Sequence, residues 1–280
     1  MSSFHVRPTQ TINARGRLLT FDRPMVMGVL NVTPDSFYDG GVRHTVDETF
    51  LHAETMIREG ADIIDIGAFS SRPGAKSISS QEEMDRALPI IETMMDSFPD
   101  ILLSIDTFRA DVARACVEAG VHMVNDISGG TLDENMFATV ADLQVPYILM
   151  HMRGTPQTMQ QLTDYDDIVT DIAVYFGEKI AVLRSLGVKD IILDPGFGFA
   201  KTVDQNYELL LRLEELQYFG LPLLGGISRK SMIYKKLGVT PQEALNGTTA
   251  LNTLLLERGV HILRVHDVRE AREIIQLFYV

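Results

Sequence analysis

Polar and charged residues recur in this sequence at one kind of place, the end of a short apolar run. They are Asn31, Asp65, Asp106, Asn125, His151, Asp194, Lys230, Arg264 and His266. The clearest instance is DIILDPGFGFAK (190–201), where branched apolar residues stop at Asp194, and Pro195 with the following glycines prevents the strand from continuing. Asp106, Asn125 and Asp194 offer two carboxylates and an amide, groups able to grip a flat heterocycle bearing amino, imino and carbonyl functions. Lys230 can donate to a ring carbonyl or nitrogen and offset part of the negative charge. Asn31, Ser71, Arg264 and His266 form a complementary anion set, with a planar fork of donors, an imidazole and neutral contacts. A divalent metal suits such an anion, and Asn31 offers it an oxygen ligand. Each residue also has a plainer use: Asp and Asn cap helices, Lys and Arg sit in solvent, and Arg264 or His266 could pair with Asp267. Helix capping would not call for cations at the seventh and eighth runs.

No nucleophile paired with a base is visible. Ser228 is followed by Arg229 and Lys230 without a G-x-S-x-G elbow. The histidines lack zinc-site spacing, GFGFAK lacks the Walker frame, and GGTLDENM lacks G-x-G-x-x-G. The residues alone support a site for a polar flat ring beside an anion, and they stop short of a reaction. His151, a lone strand-end histidine, reads as a core group. Phe197 and Phe199 can pack or touch a ligand, Phe199 with the stronger claim to contact.

The runs that must position these groups lie at 25–30, 62–66, 101–105, 122–124, 147–150, 190–193, 221–227 and 261–265. Their apolar composition is that of strands buried on both faces. Helical spacing follows at 46–59, 80–97, up to 119, 166–186, 242–258 and up to 278, with Gly60 and Gly120 at helix stops. Eight buried strands alternating with helices predict a single (β/α)8 barrel, a TIM barrel, rather than an open doubly wound sheet. Residues 1–24 read as a short hairpin-like segment before the first barrel strand. No linker or charge block divides the chain, so residues 1–280 are expected to form one domain. Strand ends in a barrel share a mouth, which would make the nine residues neighbours.

Composition narrows the function. With 25 basic and 38 acidic residues the formal charge is −13, which argues against a nucleic-acid partner, although a few local cations can still hold an anionic substrate. The one cysteine, Cys116, excludes an internal disulfide and fits a reducing compartment. No apolar stretch is long enough to span a membrane and the N-terminus lacks a signal region, so a cytoplasmic protein is expected.

Several stretches together closely resemble the dihydropteroate synthase family: MGVLNVTPDSFYDGG (27–41), DIIDIGAFSSRPGA (62–75), SIDTF (104–108) and VNDISGG (124–130). LMHMRGTPQTMQ (149–160), LDPGFGFAK (193–201), ISRKSMI (227–233) and RVHDV (264–268) continue the resemblance in the family's order. It implies a pterin-binding TIM barrel, a transferase of folate biosynthesis and a sulfonamide target. The reaction implied condenses 4-aminobenzoate with (7,8-dihydropterin-6-yl)methyl diphosphate to 7,8-dihydropteroate and diphosphate, with Mg²⁺. By motif, Asp106, Asn125, Asp194 and Lys230 would hold the pterin, with Phe199 beside it. Asn31, Ser71, Arg264 and His266 would take the diphosphate, Asn31 also meeting Mg²⁺. Phe37, Ser71, Arg72, Pro73, Phe199 and Ser231 would shape the aminobenzoate pocket. Many members read G-E-S-T-R-P in the second loop; here Ser71 keeps a hydroxyl but Phe69 replaces the acid. The resemblance also implies a homodimer, and a dissociative loss of diphosphate that needs no protein nucleophile. Two other classes share parts of this pattern. A corrinoid-linked methyltransferase would keep the pterin acids without needing Arg264 and His266, and a non-catalytic paralogue would lose site residues.

Overall fold

The structure, a computed structural model, describes residues 10–32, 42–69 and 78–278. It opens with an antiparallel hairpin, β1 (Thr11–Ala14) and β2 (Arg17–Thr20), as the short alternating segment predicts. The barrel strands follow: β3 (Met25–Asn31), β4 (Ile63–Gly67), β5 (Leu102–Asp106) and β6 (Met123–Asp126), then β7 (Tyr147–Met150), β8 (Ile191–Asp194), β9 (Leu224–Gly225) and β10 (Ile262–Val265). They pair in parallel in the order β8-β7-β6-β5-β4-β3-β10-β9. A bridge between Leu193 and Leu223 joins the two ends and closes the ring.

Helices cover the outside: α1 (Val42–Arg58), α2 (Ser80–Ser97), α3 (Ala110–Glu118), α4 (Met136–Leu143) and α5 (Ile168–Ser185). α6 (Val203–Leu211), α7 (Ser231–Leu237), α8 (Leu245–Glu257) and α9 (Val268–Phe278) complete the set. α4 and α6 lie where no helical span is predicted. α6 starts at a capping box, in which Thr202 and Gln205 satisfy each other's backbone N–H. The predicted helix at 242–258 begins as a 3-10 turn over Gln242–Ala244 before α8. The predicted strand at 221–227 shrinks to two ladder residues, because Pro222 has no N–H to donate and only its carbonyl serves, accepting from Leu193.

Successive strand side chains alternate between faces, so each strand sends every second residue into the barrel. The lowest interior layer takes one apolar residue from every strand: Met27, Ile63, Leu102, Met123, Ile148, Ile192, Leu224 and Ile262. Ile12 and Ala14 of the hairpin pack against this layer and floor the barrel. The intervening residues, among them Val26, Ile64, Leu103, Val124 and Leu263, face outward into the main core with the helices. Two residues above the apolar layer, the same parity brings up Asp65, Ser104, Asn125, Asp194 and Arg264, with Val29, Met150 and Gly226 completing the ring. Folding therefore places a polar layer directly on an apolar one.

Candidate active site

Asp65 lies at the centre of the polar layer. It is fully buried, and its Oδ2 accepts hydrogen bonds from Arg264 Nε at 2.7 Å and from Asn125 Nδ2 at 2.9 Å. Arg264 Nη2 donates to Asp106 Oδ2 at 2.7 Å, so one guanidinium joins carboxylates from β4 and β5. Asn31, at the end of β3, reaches the same rim: a Cβ on Gly67 would lie 3.6 Å from Asn31 Oδ1 and 3.9 Å from Asp106 Oδ2. The bare Cα of Gly226 likewise faces Arg264 and Lys230, with Lys230 Nζ 3.9 Å from where a Cβ would be.

The segment after β8 supplies the opposite wall. Asp194 Oδ1 accepts from Gly196 N at 2.8 Å, which turns the chain directly back over the strand end. Gly196 has φ 69°, and a Cβ there would come 2.1 Å from the His151 carbonyl oxygen, so no other residue fits. Lys230 Nζ donates to the Phe197 carbonyl at 2.6 Å and lies 4.8 Å from the centroid of the Phe199 ring. Phe197 is fully buried and packs, whereas Phe199 is half-buried beneath the ammonium. Below them Lys201 donates to His151 Nδ1 at 3.1 Å and to the Gly196 and Phe199 carbonyls at 2.9 Å. Three donors meet three acceptors, which leaves the His151 proton on Nε2.

After β9 the chain turns through Ser228, Arg229 and Lys230, with Arg229 at φ 54°. The buried Ser228 hydroxyl sits 3.1 Å from His266 Nδ1 and accepts from His266 N at 3.2 Å. Arg229 binds both oxygens of Asp267, at 2.9 and 2.6 Å, so Asp267 is engaged by Arg229 and neither Arg264 nor His266 pairs with it. Ser231 begins α7 and is half-buried.

Dehydration and mutual charge set the ionisation of the mouth. Asp106, 22% exposed, is pushed up to about 7 by desolvation, with Arg264 pulling down and Asp65 pushing up. Asp194 is raised by burial, against the pull of Lys230. Burial lowers Lys230 to about 8, and Asp194 opposes that shift. For Arg264 desolvation works against the charge, but Asp65 and then Asp106 outweigh it and the guanidinium titrates above its ordinary value. His266 opens to solvent along one side; even so, surrounding protein and then Arg264 lower it to about 4. Burial and then Lys201 drive His151 down to about 2, as expected of a neutral core imidazole.

The structure thus gathers Asn31, Asp106, Asn125, Asp194, Lys230, Arg264, His266 and Phe199 around one mouth. Phe37, Ser71, Arg72 and Pro73 lie outside the described residues. Phe69 stands edge-on to Phe108, centroids 5.1 Å apart, with the Arg109 guanidinium over both rings at 5.4 and 4.9 Å. The ring therefore joins an aromatic and cation cluster whose Arg109 is itself paired with Glu83. Two residues gain importance that the sequence reading gave no role: Asp65, which shares its parity with Ile63, and Lys201, seven residues past Asp194. A cavity of about 540 Å³ at the opposite end of the barrel, beside Arg17, Phe98 and Asp62, holds no such convergence. Two of its charged residues are already committed, Arg17 to the Pro99 and Asp100 carbonyls and Asp62 to Arg272.

The chain as a whole has known relatives. The profile of the pterin binding enzyme family matches residues 27–266. A dihydropteroate synthase of Escherichia coli strain K12 is 44% identical over 262 residues, covering 93% of this chain and 92% of its own. One from Synechocystis is 48% identical over 255 residues, 90% of this chain and 88% of its own. Among solved structures, the Yersinia pestis dihydropteroate synthase in a sulfonamide complex superposes with a TM-score of 0.90 at 43% identity, covering 96% of this chain and 98% of that one. The Xanthomonas albilineans enzyme in complex with 7,8-dihydropteroate gives 0.86 at 37% identity, covering 96% and 97%. With its barrel and almost its whole length matched in this way, the chain belongs to the dihydropteroate synthase family of pterin-binding enzymes.

Proposed function

We propose that the protein condenses 4-aminobenzoate with (7,8-dihydropterin-6-yl)methyl diphosphate, forming 7,8-dihydropteroate and releasing diphosphate. The observation that carries this reading is the meeting of acceptors from β5, β6 and β8 with the Arg264 fork from β10 at one barrel mouth. Asp106, Asp194 and the Asn125 carbonyl accept from the amino and imino edge of the pterin, while Lys230 donates to it and Phe199 covers a face. Arg264 keeps three N–H groups beyond those given to Asp65 and Asp106, and with His266, Asn31 and Ser71 these receive the diphosphate. Phe37, Ser71, Arg72, Pro73, Phe199 and Ser231 shape the aminobenzoate side.

The C–O bond to the methylene breaks with its electron pair leaving on the diphosphate, whose developing charge the Arg264 guanidinium stabilises. The electron-rich pterin carries the resulting cation, and Asp106 and Asp194 supply negative charge around it. The arylamine nitrogen then forms the new C–N bond from a held position and gives its proton to water or the released diphosphate. No side-chain nucleophile enters. Trapping a pterin cation with diphosphate still bound would support this order, and a strict dependence of C–O cleavage on aminobenzoate would refute it.

Mg²⁺ fits the rim. Asn31 Oδ1 and Asp106 Oδ2 are hard oxygen donors facing one bare glycine, Gly67. Among the described residues no three His, Cys, Asp or Glu side chains converge, so the ion would be held by Asn31, diphosphate oxygens and water. When bound, it supplies further neutralisation of the leaving group. We extend the proposal to a single domain over residues 1–280, a homodimer and a cytoplasmic location. The deciding assay is dihydropteroate formation from the two substrates with Mg²⁺ and its inhibition by a sulfonamide. A protein that binds pterin yet makes no dihydropteroate overturns the reading.

A further inference from the structure

We infer that Asp65 is a positioning residue that aims Asn125 and Arg264 together, tying the pterin grip and the diphosphate grip to one buried carboxylate. The inference deepens the substrate reading above and rests on it. Asp65 touches no open space: its exposure is 0% and it lies two residues above the apolar layer. Its Oδ2 receives Asn125 Nδ2 at 2.9 Å and Arg264 Nε at 2.7 Å, from strands on either side of β4. Each contact settles an orientation that the side chain alone leaves open.

A carboxylate only accepts, so it holds the Asn125 amide with nitrogen towards itself and leaves the carbonyl oxygen for the ligand. That converts an ambiguous group into an acceptor, matching the acceptors Asp106 and Asp194. Engagement of Nε fixes the plane of the Arg264 fork. With one Nη2 hydrogen on Asp106, the remaining N–H groups keep one direction. The other oxygen, Oδ1, is buried without a hydrogen-bond partner, as is the hydroxyl of Ser104, its register neighbour on β5. A buried oxygen left unmatched is costly, and the arrangement is more than structure requires.

The test compares Asp65→Asn and Asp65→Glu with the parent, first confirming folding by circular dichroism. Asp65→Asn keeps the shape but can present its own amide nitrogen, and Asp65→Glu keeps the charge but displaces it by one methylene. Calorimetry would measure binding of inorganic diphosphate and, separately, of a pterin without diphosphate. Both affinities should fall roughly tenfold to a hundredfold in either folded variant. In turnover the KM for the dihydropterin diphosphate should rise while that for aminobenzoate changes less than about twofold. Weakening of only one ligand, or equal losses for all three, overturns the inference. Tighter diphosphate binding in Asp65→Asn also overturns it, because Asp65 would then act only as a counter-charge to Arg264. If Asp65→Asn does not fold, the same readings on Asp65→Glu decide. A parent protein that makes no dihydropteroate defeats the substrate reading instead, and that is settled before any variant is compared.

Discussion

Replacing Arg264 by Met offers the sharpest check on how the mouth is held. The guanidinium side chain is 20% exposed and makes 2.7 Å contacts with Asp65, which is 0% exposed, and with Asp106. Met fills most of the volume but leaves two carboxylates facing each other without a cation. Hydrogen bonds to charged groups contribute about 1.5–3 kcal/mol each, and removing one partner of a buried pair costs about 3–5 kcal/mol, so the two routes agree. For a chain of this size that lowers the melting temperature by roughly 10 °C. Arg264→Lys, whose single ammonium cannot span both acids, should lose about half as much. The pH dependence adds a sign. Asp106 already titrates at about 7 in the folded protein, above its ordinary value, with Arg264 pulling it down. Without Arg264 it titrates higher still, so the folded variant holds a proton that the unfolded chain has released, and its stability falls further as pH rises. The gap between parent and variant should therefore widen above neutrality. Melting curves at pH 6 and pH 8.5 would measure it (both values roughly bracket the titration). A variant that melts within about 2 °C of the parent, or a gap equal at both pH values, would refute the reasoning.

Three further outcomes follow from the packing. Lys201→Met leaves the Phe199 carbonyl and His151 Nδ1 unpaired, while the Gly196 carbonyl keeps Phe199 N, and should cost about 2–4 kcal/mol. Because burial holds Lys201 down at about 7, the parent should gain stability with pH from there towards 10.5, and melting curves of the variant should lack that rise. Phe69→Ala removes one edge-on aromatic pair and one cation contact, about 1–2.5 kcal/mol together by thermal melting. Ile12→Ala takes a side chain 2% exposed from the barrel floor and should cost about 2–5 kcal/mol in urea unfolding, with both KM values unchanged.

Much of this arrangement was legible in the sequence because buried parallel strands leave strong apolar runs that stop abruptly at polar residues. The stops at Asp106, Asn125, Asp194 and Arg264 all open on one mouth, since a closed ring of parallel strands leaves no other place for them. The length of β9 was less legible: LPLLGG reads as apolar, but Pro222 removes a donor from the ladder. α4 and α6, at 8 and 9 residues, are too short to carry a clear helical period. Pairings across the barrel could not be read at all. Whether Asp267 meets Arg264 or Arg229 depends on the turn at Ser228, and Arg229 wins because its left-handed backbone aims it there. Asp65 was visible as an acid near a strand end, yet its importance lies in parity: counting by twos from Ile63 puts it inside the ring.

The two-layer interior also bears on drug resistance. Asp106, Asn125 and Asp194, proposed to meet the pterin, stand on strands, and Arg264 and Asp65 lock Asp106 and Asn125 together, whereas Phe199 and Ser231, proposed for aminobenzoate, follow β8 and β9 outside the strands. A change in a connecting segment can weaken a sulfonamide without disturbing the lattice beneath. An inhibitor seated in the polar layer would press on residues whose replacement dismantles their neighbours, leaving the organism few viable escapes.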